Sequence, residues 1–155
     1  RIEMVKVSED FTLMIDYAHN AMSLESLLTT LKAYEPKRLV CLFGCGGNRD
    51  KGKRPQMANI AYKASSQLIL TSDNPRYENP SDIINDMLNG LTSEQQDNVL
   101  CIENREQAIK TACRLAKAGD LILVAGKGHE NYQEIEGVKH PFDDKKILEN
   151  LPKNP

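Results

Sequence analysis

The segment Asp73-Asn74-Pro75-Arg76 places an acid, an amide and a guanidinium within four residues. It follows an apolar stretch, residues 67–72, that we predict to be a buried strand. Pro75 disfavours helical backbone at Asn74 and keeps the segment an open turn. Arg76 could bind a carboxylate through two hydrogen bonds, while Asp73 and Asn74 offer acceptors to an ammonium group. The turn therefore suits an amino acid, although an Asx-turn with a solvated Arg76 is the simpler interpretation of these residues alone.

Three other polar segments, residues 16–20, 44–54 and 126–130, also follow predicted strands. The carboxyl ends of parallel strands lie at one edge of a sheet, so we expect these segments to converge with residues 73–76. This convergence would assemble a single ligand site from distant parts of the chain.

Within these segments, His19 could orient or protonate a ligand, or simply cap the next helix. Lys127 could meet an anion and Glu130 could receive a ligand ammonium, but a Glu after a turn is more often just solvated. The residues alone therefore leave both the ligand-binding and the structural interpretation of these side chains open.

Residues 44–54 form the most glycine-rich and most basic part of the chain. We expect the glycines to let the backbone approach a ligand closely, beside cations that suit phosphate or carboxylate oxygens. The residues concerned are Gly44, Gly46, Gly47, Arg49, Lys51, Lys53 and Arg54.

Several classes of site are disfavoured by the same sequence. The segment Gly44-Cys45-Gly46-Gly47 fits neither the dinucleotide fingerprint nor the phosphate-binding Walker loop. We find no plausible Ser-His-Asp set, no metal-ligand spacing and no carboxylate pair for glycoside hydrolysis. The net charge of −2 and the lack of a basic block argue against a general nucleic-acid or membrane surface.

The elements that must position these segments alternate along the chain. Predicted strands span residues 11–15, 38–43, 67–72, 98–102 and 120–125, and helices follow them around residues 22–31, 55–64, 80–90 and 106–117. Residues 1–10 could add an edge strand, 132–138 an antiparallel edge and 143–151 a closing helix. We therefore predict a doubly wound α/β fold with a mostly parallel sheet of about six strands and one antiparallel edge.

The length of 155 residues favours a single domain, residues 1–155. The four cysteines match no zinc pattern, and we expect reduced, structural thiols in a reducing cytoplasm. No segment has the length and apolar character of a membrane span. The chain opens at Arg1 without an initiator Met, so we expect it to be a fragment of a longer protein.

Taken together, five motifs resemble the C-terminal domain of the Mur ligase family, in particular its UDP-N-acetylmuramoyl-tripeptide synthetases. They are Arg1-Ile2-Glu3, Asp16-Tyr17-Ala18-His19, the segment from Gly44 to Pro55, Asp73-Asn74-Pro75-Arg76 and Gly126-Lys127-Gly128-His129-Glu130. The resemblance implies a Rossmann-like domain of a bacterial cytoplasmic ligase. Such ligases use ATP and Mg²⁺ to add an amino acid to UDP-N-acetylmuramoyl-L-alanyl-D-glutamate during peptidoglycan synthesis.

The resemblance also implies residue roles. Arg49, Asn74 and Arg76 would hold the distal carboxylate of meso-diaminopimelate, with Asp73 nearby. Gly126 and Glu130 would receive its distal ammonium. Arg76 favours diaminopimelate over lysine, because lysine would leave buried Arg49 and Arg76 unpaired, at a cost of about 1–3 kcal/mol per group.

Asp16, His19 and, at the domain hinge, Arg1 would meet the nucleotide. The remaining ATP and Mg²⁺ contacts would come from the central domain, and the N-terminal domain would bind the UDP-sugar. These domains of the same chain would be its partners, and the fragment alone would be inactive. The alternatives are a stand-alone α/β module for an anionic ligand or partner, and a domain of a lysine-adding or folylpolyglutamate-type ligase.

Overall fold

The computed structural model describes residues 2–151. Six strands form its main sheet: β1 (Glu3–Val5), β2 (Thr12–Asp16), β3 (Arg38–Phe43), β4 (Gln67–Leu70), β5 (Val99–Cys101) and β6 (Asp120–Ala125). Their order across the sheet is β1-β2-β6-β3-β4-β5. Strand β1 runs antiparallel to β2, and every other neighbouring pair is parallel. The predicted α/β fold with a mostly parallel sheet is confirmed.

Six helices are present among residues 2–151. They are α1 (Ala21–Lys32), α2 (Lys53–Ala64), α3 (Pro80–Leu88), α4 (Ser93–Gln96), α5 (Arg105–Arg114) and α6 (Asp144–Glu149). Each of them except α2 begins at a side-chain cap. Asn20, not His19, caps α1 by accepting a hydrogen bond from Ser23 N at 2.9 Å. Helix α4 was not predicted, although Thr92 and Gln95 form the capping box that marks its start.

Both faces of the sheet are covered, as a doubly wound fold requires. Side chains alternate along a strand, so Cys41 and Phe43 of β3 pack toward α1, α2 and α3, while Val40 and Leu42 pack toward α5 and α6. The helices lie on the two faces of the sheet and leave the carboxyl ends of the strands uncovered. The polar segments emerge at these ends.

A separate hairpin replaces the antiparallel edge predicted at residues 132–138. Strand β7 (Tyr132–Ile135) pairs with β8 (Val138–Pro141) and not with the main sheet. The turn between them has positive φ at Glu136 (50°) and Gly137 (80°), as a tight hairpin favours. The antiparallel edge of the main sheet is β1.

The cysteines only partly match expectation. All four are free thiols, and burial raises the pKa of Cys41 to about 12. Cys101 is exposed at the end of β5, so it is not the buried hydrophobe that we predicted. Across residues 2–151, none of the helices has the length and hydropathy to cross a membrane.

A buried ion pair ties the carboxyl ends of two strands to α6. Arg105 donates to both carboxylate oxygens of Asp144, at 2.9 and 2.7 Å, and both side chains are fully buried. The same guanidinium donates to Ser72 O at 3.0 Å and Ala125 O at 3.2 Å. These carbonyls immediately precede Asp73 and Gly126, so Arg105 fixes the spacing of two segments of the predicted site.

A second ion-pair cluster joins the start of α2 to the segment before α3. Arg54 is completely buried and donates to Glu78 at 3.0 and 2.8 Å, to Asp86 at 2.9 Å and to Gly46 O at 2.9 Å. Arg54 was expected to bind an anionic ligand. It serves instead as an internal cation, because α2 begins at Lys53 and directs this side chain under the turn.

We expect Arg105→Met to lower the free energy of unfolding by about 3–5 kcal/mol, because Asp144 would remain buried without its cation. The matched control is Lys110→Gln, which removes an exposed ion pair with Glu106 in the same helix and should cost less than about 1 kcal/mol. Urea unfolding measures both changes. Equal losses in the two variants would contradict the role of Arg105.

The Glu78 carboxylate should make stability depend on acid pH. Hydrogen bonds from Arg54 hold the pKa of Glu78 at about 2, below the value of about 4.3 for an unfolded chain. Its stabilisation is therefore complete above about pH 5 and is lost as the pH falls toward the folded pKa. Glu78→Gln should cost about 1–3 kcal/mol at pH 7 and flatten this acid dependence.

Asp86→Asn is the comparison for Glu78, because Asp86 makes one hydrogen bond to Arg54 and its side chain is 37% exposed. This variant should lose less stability and keep the slope between about pH 5 and pH 2. Urea unfolding across this pH range gives both quantities. An unchanged slope in Glu78→Gln would show that another group causes the acid dependence.

Candidate functional site

The segments that follow β2, β3, β4 and β6 lie side by side, because these strands are parallel neighbours. Gly126 N donates to Asp16 O at 3.0 Å, and Gly47 N donates to Asn74 O at 2.7 Å. The predicted convergence is therefore confirmed, and the site is built from segments more than a hundred residues apart in sequence.

The glycines of residues 44–54 are required by the neighbouring turn. A Cβ atom on Gly44 would overlap Thr71 O, and one on Gly47 would overlap Pro75 O. We predicted that these glycines admit a ligand. In the structure the close approach is between two loops of the protein, which seats residues 73–76 against the end of β3.

Three cations of residues 44–54, namely Arg49, Lys51 and Lys53, point to separate partners. Lys53 Nζ donates to His19 O at 3.0 Å, and Lys51 lies 3.8 Å from Glu78 with most of its side chain exposed. Arg49 is exposed and donates to Asn48 O at 3.0 Å. The predicted compact anion site does not form in the part of the chain that the structure describes.

The buried ammonium of Lys127 organises the centre of the site. Its side chain is completely buried, and Nζ donates to Asn74 Oδ1 and Tyr132 O, both at 2.9 Å. The same atom lies 3.1 Å from Asp73 Oδ1 and 3.5 Å from Glu130 Oε1. We expected Lys127 to meet an anion, and the anions it meets are two carboxylates of its own chain.

Lys127 also fixes the orientation of the Asn74 amide. Asn74 Oδ1 accepts from Lys127 Nζ and from Glu134 N, at 2.9 and 3.0 Å. Both neighbours are donors, so the amide oxygen must face them and Nδ2 must face the other way. Nδ2 lies 3.5 Å from Glu130 Oε1, a long hydrogen bond that leaves this group able to donate to a ligand carboxylate.

Asp73 retains an unused acceptor beside this amide. Among residues 2–151, the buried Asp73 Oδ1 accepts no hydrogen bond, although Lys127 offsets its charge. A buried carboxylate oxygen of this kind favours a ligand that donates, such as an ammonium group.

Arg76 lies at the entrance to the same cluster. Its backbone has a φ of 51°, and its guanidinium donates to Gly47 O at 2.9 Å. Arg76 Nε lies 3.3 Å from Glu134 Oε1, with the Arg76 side chain 16% exposed. We predicted that lysine would leave buried Arg49 and Arg76 without a partner. Arg49 is exposed, and Arg76 has an internal carboxylate as its partner.

The β7–β8 hairpin covers the turn and contributes this carboxylate. Arg76 N donates to Glu134 O at 2.9 Å, and Glu136 N donates to Arg76 O at 2.7 Å. Gln133 Nε2 donates to Asp73 O at 2.7 Å. The hairpin is therefore bound to residues 73–76 by main-chain hydrogen bonds and also by hydrogen bonds from its side chains.

Gly126 and Glu130 flank the cluster on the side of β6. Gly126 has a φ of 110°, which disfavours any other residue there, and it faces the Asp73 carboxylate. Glu130 is partly exposed and lies close to the Tyr17 side chain. Partial burial and the neighbouring Glu130 and Asp73 carboxylates raise the pKa of Tyr17.

The predicted nucleotide residues lie at the margin of this cluster. Asp16 is buried at the end of β2 and accepts from Ala18 N at 2.7 Å. His19 is exposed, with Nδ1 2.9 Å from Tyr17 O. Arg1 lies outside the described residues, so its predicted role has no structural counterpart here.

Sequence reasoning missed the supporting residues of the site: Tyr17, Arg105, Gln133 and Glu134. Tyr17 is adjacent to Asp16 and could have been included as part of the same loop. Glu134 and Gln133 gave no local signal, because only the docking of the hairpin brings them to residues 73–76. The assembled groups offer donors for a carboxylate beside acceptors for an ammonium, which suits an amino acid.

Comparison with solved structures supports the same architecture. A structure of UDP-N-acetylmuramoyl-L-alanyl-D-glutamate–2,6-diaminopimelate ligase is 43% identical, with a TM-score of 0.90 over 96% of this chain and 30% of that one. Mycobacterium tuberculosis folylpolyglutamate synthase, 22% identical, gives a TM-score of 0.61 over 80% of this chain and 28% of its own. The second likeness shows the shared fold alone.

Curated relatives and a family profile agree with the first of these structures. The UDP-N-acetylmuramoyl-L-alanyl-D-glutamate–2,6-diaminopimelate ligase of Bacteroides fragilis is 52% identical over 153 residues, which is 97% of this chain and 32% of that protein. The chain thus spans about a third of the length of such relatives. The family described as "Mur ligase, glutamate ligase domain" matches residues 1–128. The chain belongs to this Mur ligase domain family.

Proposed function

We propose that this chain is the C-terminal domain of a longer, ATP-dependent ligase that adds meso-diaminopimelate to UDP-N-acetylmuramoyl-L-alanyl-D-glutamate. The observation that carries the proposal is the Lys127 cluster, in which Asp73, Asn74 and Glu130 surround one buried ammonium beside Arg76. The names of the relatives at about half identity point to the same substrates.

The distal end of the amino acid would bind between the turn and the end of β6. Arg76 and Asn74 Nδ2 would donate to its carboxylate, and Asp73 Oδ1 and Glu130 would accept from its ammonium. Gly126 would leave room for this ammonium, since it faces the Asp73 carboxylate without a side chain. Arg49 would join the carboxylate by swinging in from its exposed position.

Diaminopimelate would be preferred because lysine lacks the distal carboxylate. The discrimination then comes from hydrogen bonds that lysine cannot make, each worth about 1.5–3 kcal/mol when a charged group takes part. Because Glu134 is already an ion-pair partner of Arg76, we no longer expect lysine to leave Arg76 unpaired.

ATP and Mg²⁺ would be bound mainly by other domains of the ligase. Asp16 is buried and His19 is exposed at the margin of the site, and both would contact the nucleotide on domain closure, as would Arg1. Residues 2–151 contain no group of three or more acidic, His or Cys side chains placed to hold a metal ion. The nucleotide would activate the acceptor carboxylate, while this domain positions the attacking amine.

The partners would be the central and N-terminal domains of the same ligase, in a bacterial cytoplasm. Residues 1–155 would form one domain of it. The alternative of a stand-alone anion-binding module has less support, since Arg54 is buried in internal ion pairs and the other cations of residues 44–54 diverge.

Calorimetric titration of the full-length ligase, loaded with ADP and UDP-N-acetylmuramoyl-L-alanyl-D-glutamate, tests the assignment. We expect wild type to bind meso-diaminopimelate at least about tenfold more tightly than L-lysine. Arg76→Ala should weaken diaminopimelate binding by about 10- to 100-fold and leave lysine binding nearly unchanged. This variant removes a donor that only diaminopimelate uses.

Arg114→Ala is the control, since it removes an exposed Arg from the last turn of α5, away from the site. It should bind both amino acids like wild type. Equal loss of both ligands in Arg76→Ala would refute the role of Arg76 as the group that selects diaminopimelate.

A further inference from the structure

The Glu134 carboxylate occupies the place beside Arg76 that a ligand carboxylate would need. Glu134 Oε1 lies 3.3 Å from Arg76 Nε, and the Glu134 side chain is 25% exposed. Asp73 and Glu130 lie beside Lys127, so Glu134 is the acid that faces Arg76 among the described residues.

The position of Glu134 is determined by the backbone of the hairpin. Glu134 N donates to Asn74 Oδ1, and Glu134 O accepts from Arg76 N. With both main-chain groups bound to the turn, the side chain of Glu134 starts from a fixed point next to the guanidinium. Its proximity to Arg76 therefore follows from how β7 docks. A freely mobile surface acid would not be held in this way.

The available donors of Arg76 make the two carboxylates competitors. One Nη group already donates to Gly47 O, and Nε faces Glu134. A ligand carboxylate that accepts two hydrogen bonds from the guanidinium, one of them from Nε, would have to occupy the position of the Glu134 carboxylate. Two carboxylates held at one guanidinium would also repel each other.

We propose that Glu134 is a specificity-determining residue, which pairs with Arg76 and must be displaced by the distal carboxylate of the incoming amino acid. The inference rests on the proposed function and deepens it. Glu134 stabilises Arg76 before binding and thereby weakens the affinity for diaminopimelate. A ligand without a distal carboxylate leaves the pair intact, so Glu134 does not affect its affinity.

Titration of the full-length ligase with meso-diaminopimelate and with L-lysine, in the presence of ADP and the UDP-dipeptide, tests this role. In Glu134→Gln, the diaminopimelate Kd should fall about three- to fivefold, the effect expected for a partly exposed ion pair. The lysine Kd should stay the same, so the preference for diaminopimelate should rise.

The matched control is Glu136→Gln, which removes the same charge two residues away, at an exposed position on the hairpin turn. It should change neither Kd. Glu134→Asp supplies a second variant, because its shorter side chain cannot reach Arg76 from the same backbone position and should also tighten diaminopimelate binding. Circular dichroism and urea unfolding report whether each variant is folded.

The outcomes separate this inference from the proposed function. If wild type selects diaminopimelate but neither Glu134 variant binds it more tightly, Glu134 has no competing role and the proposed function stands. Weaker binding of both amino acids in Glu134→Gln would assign Glu134 to the ligand ammonium and overturn the inference. Failure of wild type to bind diaminopimelate would overturn both.

Discussion

The site depends on one buried cation, the ammonium of Lys127. A Lys side chain is stable inside a protein only when its charge is offset and its hydrogen bonds are satisfied. Here Asp73 and Glu130 offset the charge, and Asn74 Oδ1 and Tyr132 O accept its hydrogen bonds. The ammonium in turn allows two carboxylates to stay close together, and it points the Asn74 amide donor outward. Under the proposed function, this arrangement would select an amino acid whose side chain carries both an ammonium and a carboxylate.

Other internal ion pairs hold the segments around this cation. Arg105 binds the carbonyls before Asp73 and Gly126 and is neutralised by Asp144, while Arg54 binds Glu78 below the turn. Breaking a buried pair costs more than forming it gains, since the remaining charge is left without compensation. These ion pairs therefore act mainly by fixing the geometry of the site. They keep two strand ends and a glycine-rich loop at fixed distances from the residues that would touch a ligand.

Strand-end position made much of the site predictable from sequence. Asp73, Asn74 and Glu130 follow buried strands, and the rule that parallel strands end at one edge brought them together. The docking of β7 could not be predicted, because its contacts to the turn, through main-chain groups and through the Gln133 and Asn74 side chains, have no local sequence signature. For the same reason Glu134 and the paired state of Arg76 were missed. The basic character of residues 44–54 was misleading, since burial turned Arg54 into a structural cation.

Under the proposed function, Lys127 arranges the groups that bind the amino acid. We would test this role first by calorimetric titration of meso-diaminopimelate into the full-length ligase carrying Lys127→Met, with Lys127→Arg for comparison and with circular dichroism and urea unfolding as the measure of folding. Met has nearly the length of Lys but leaves Asp73 and Glu130 without a cation. We expect Lys127→Met to stay folded, with diaminopimelate affinity reduced at least about tenfold. Diaminopimelate binding equal to wild type in Lys127→Met would contradict it.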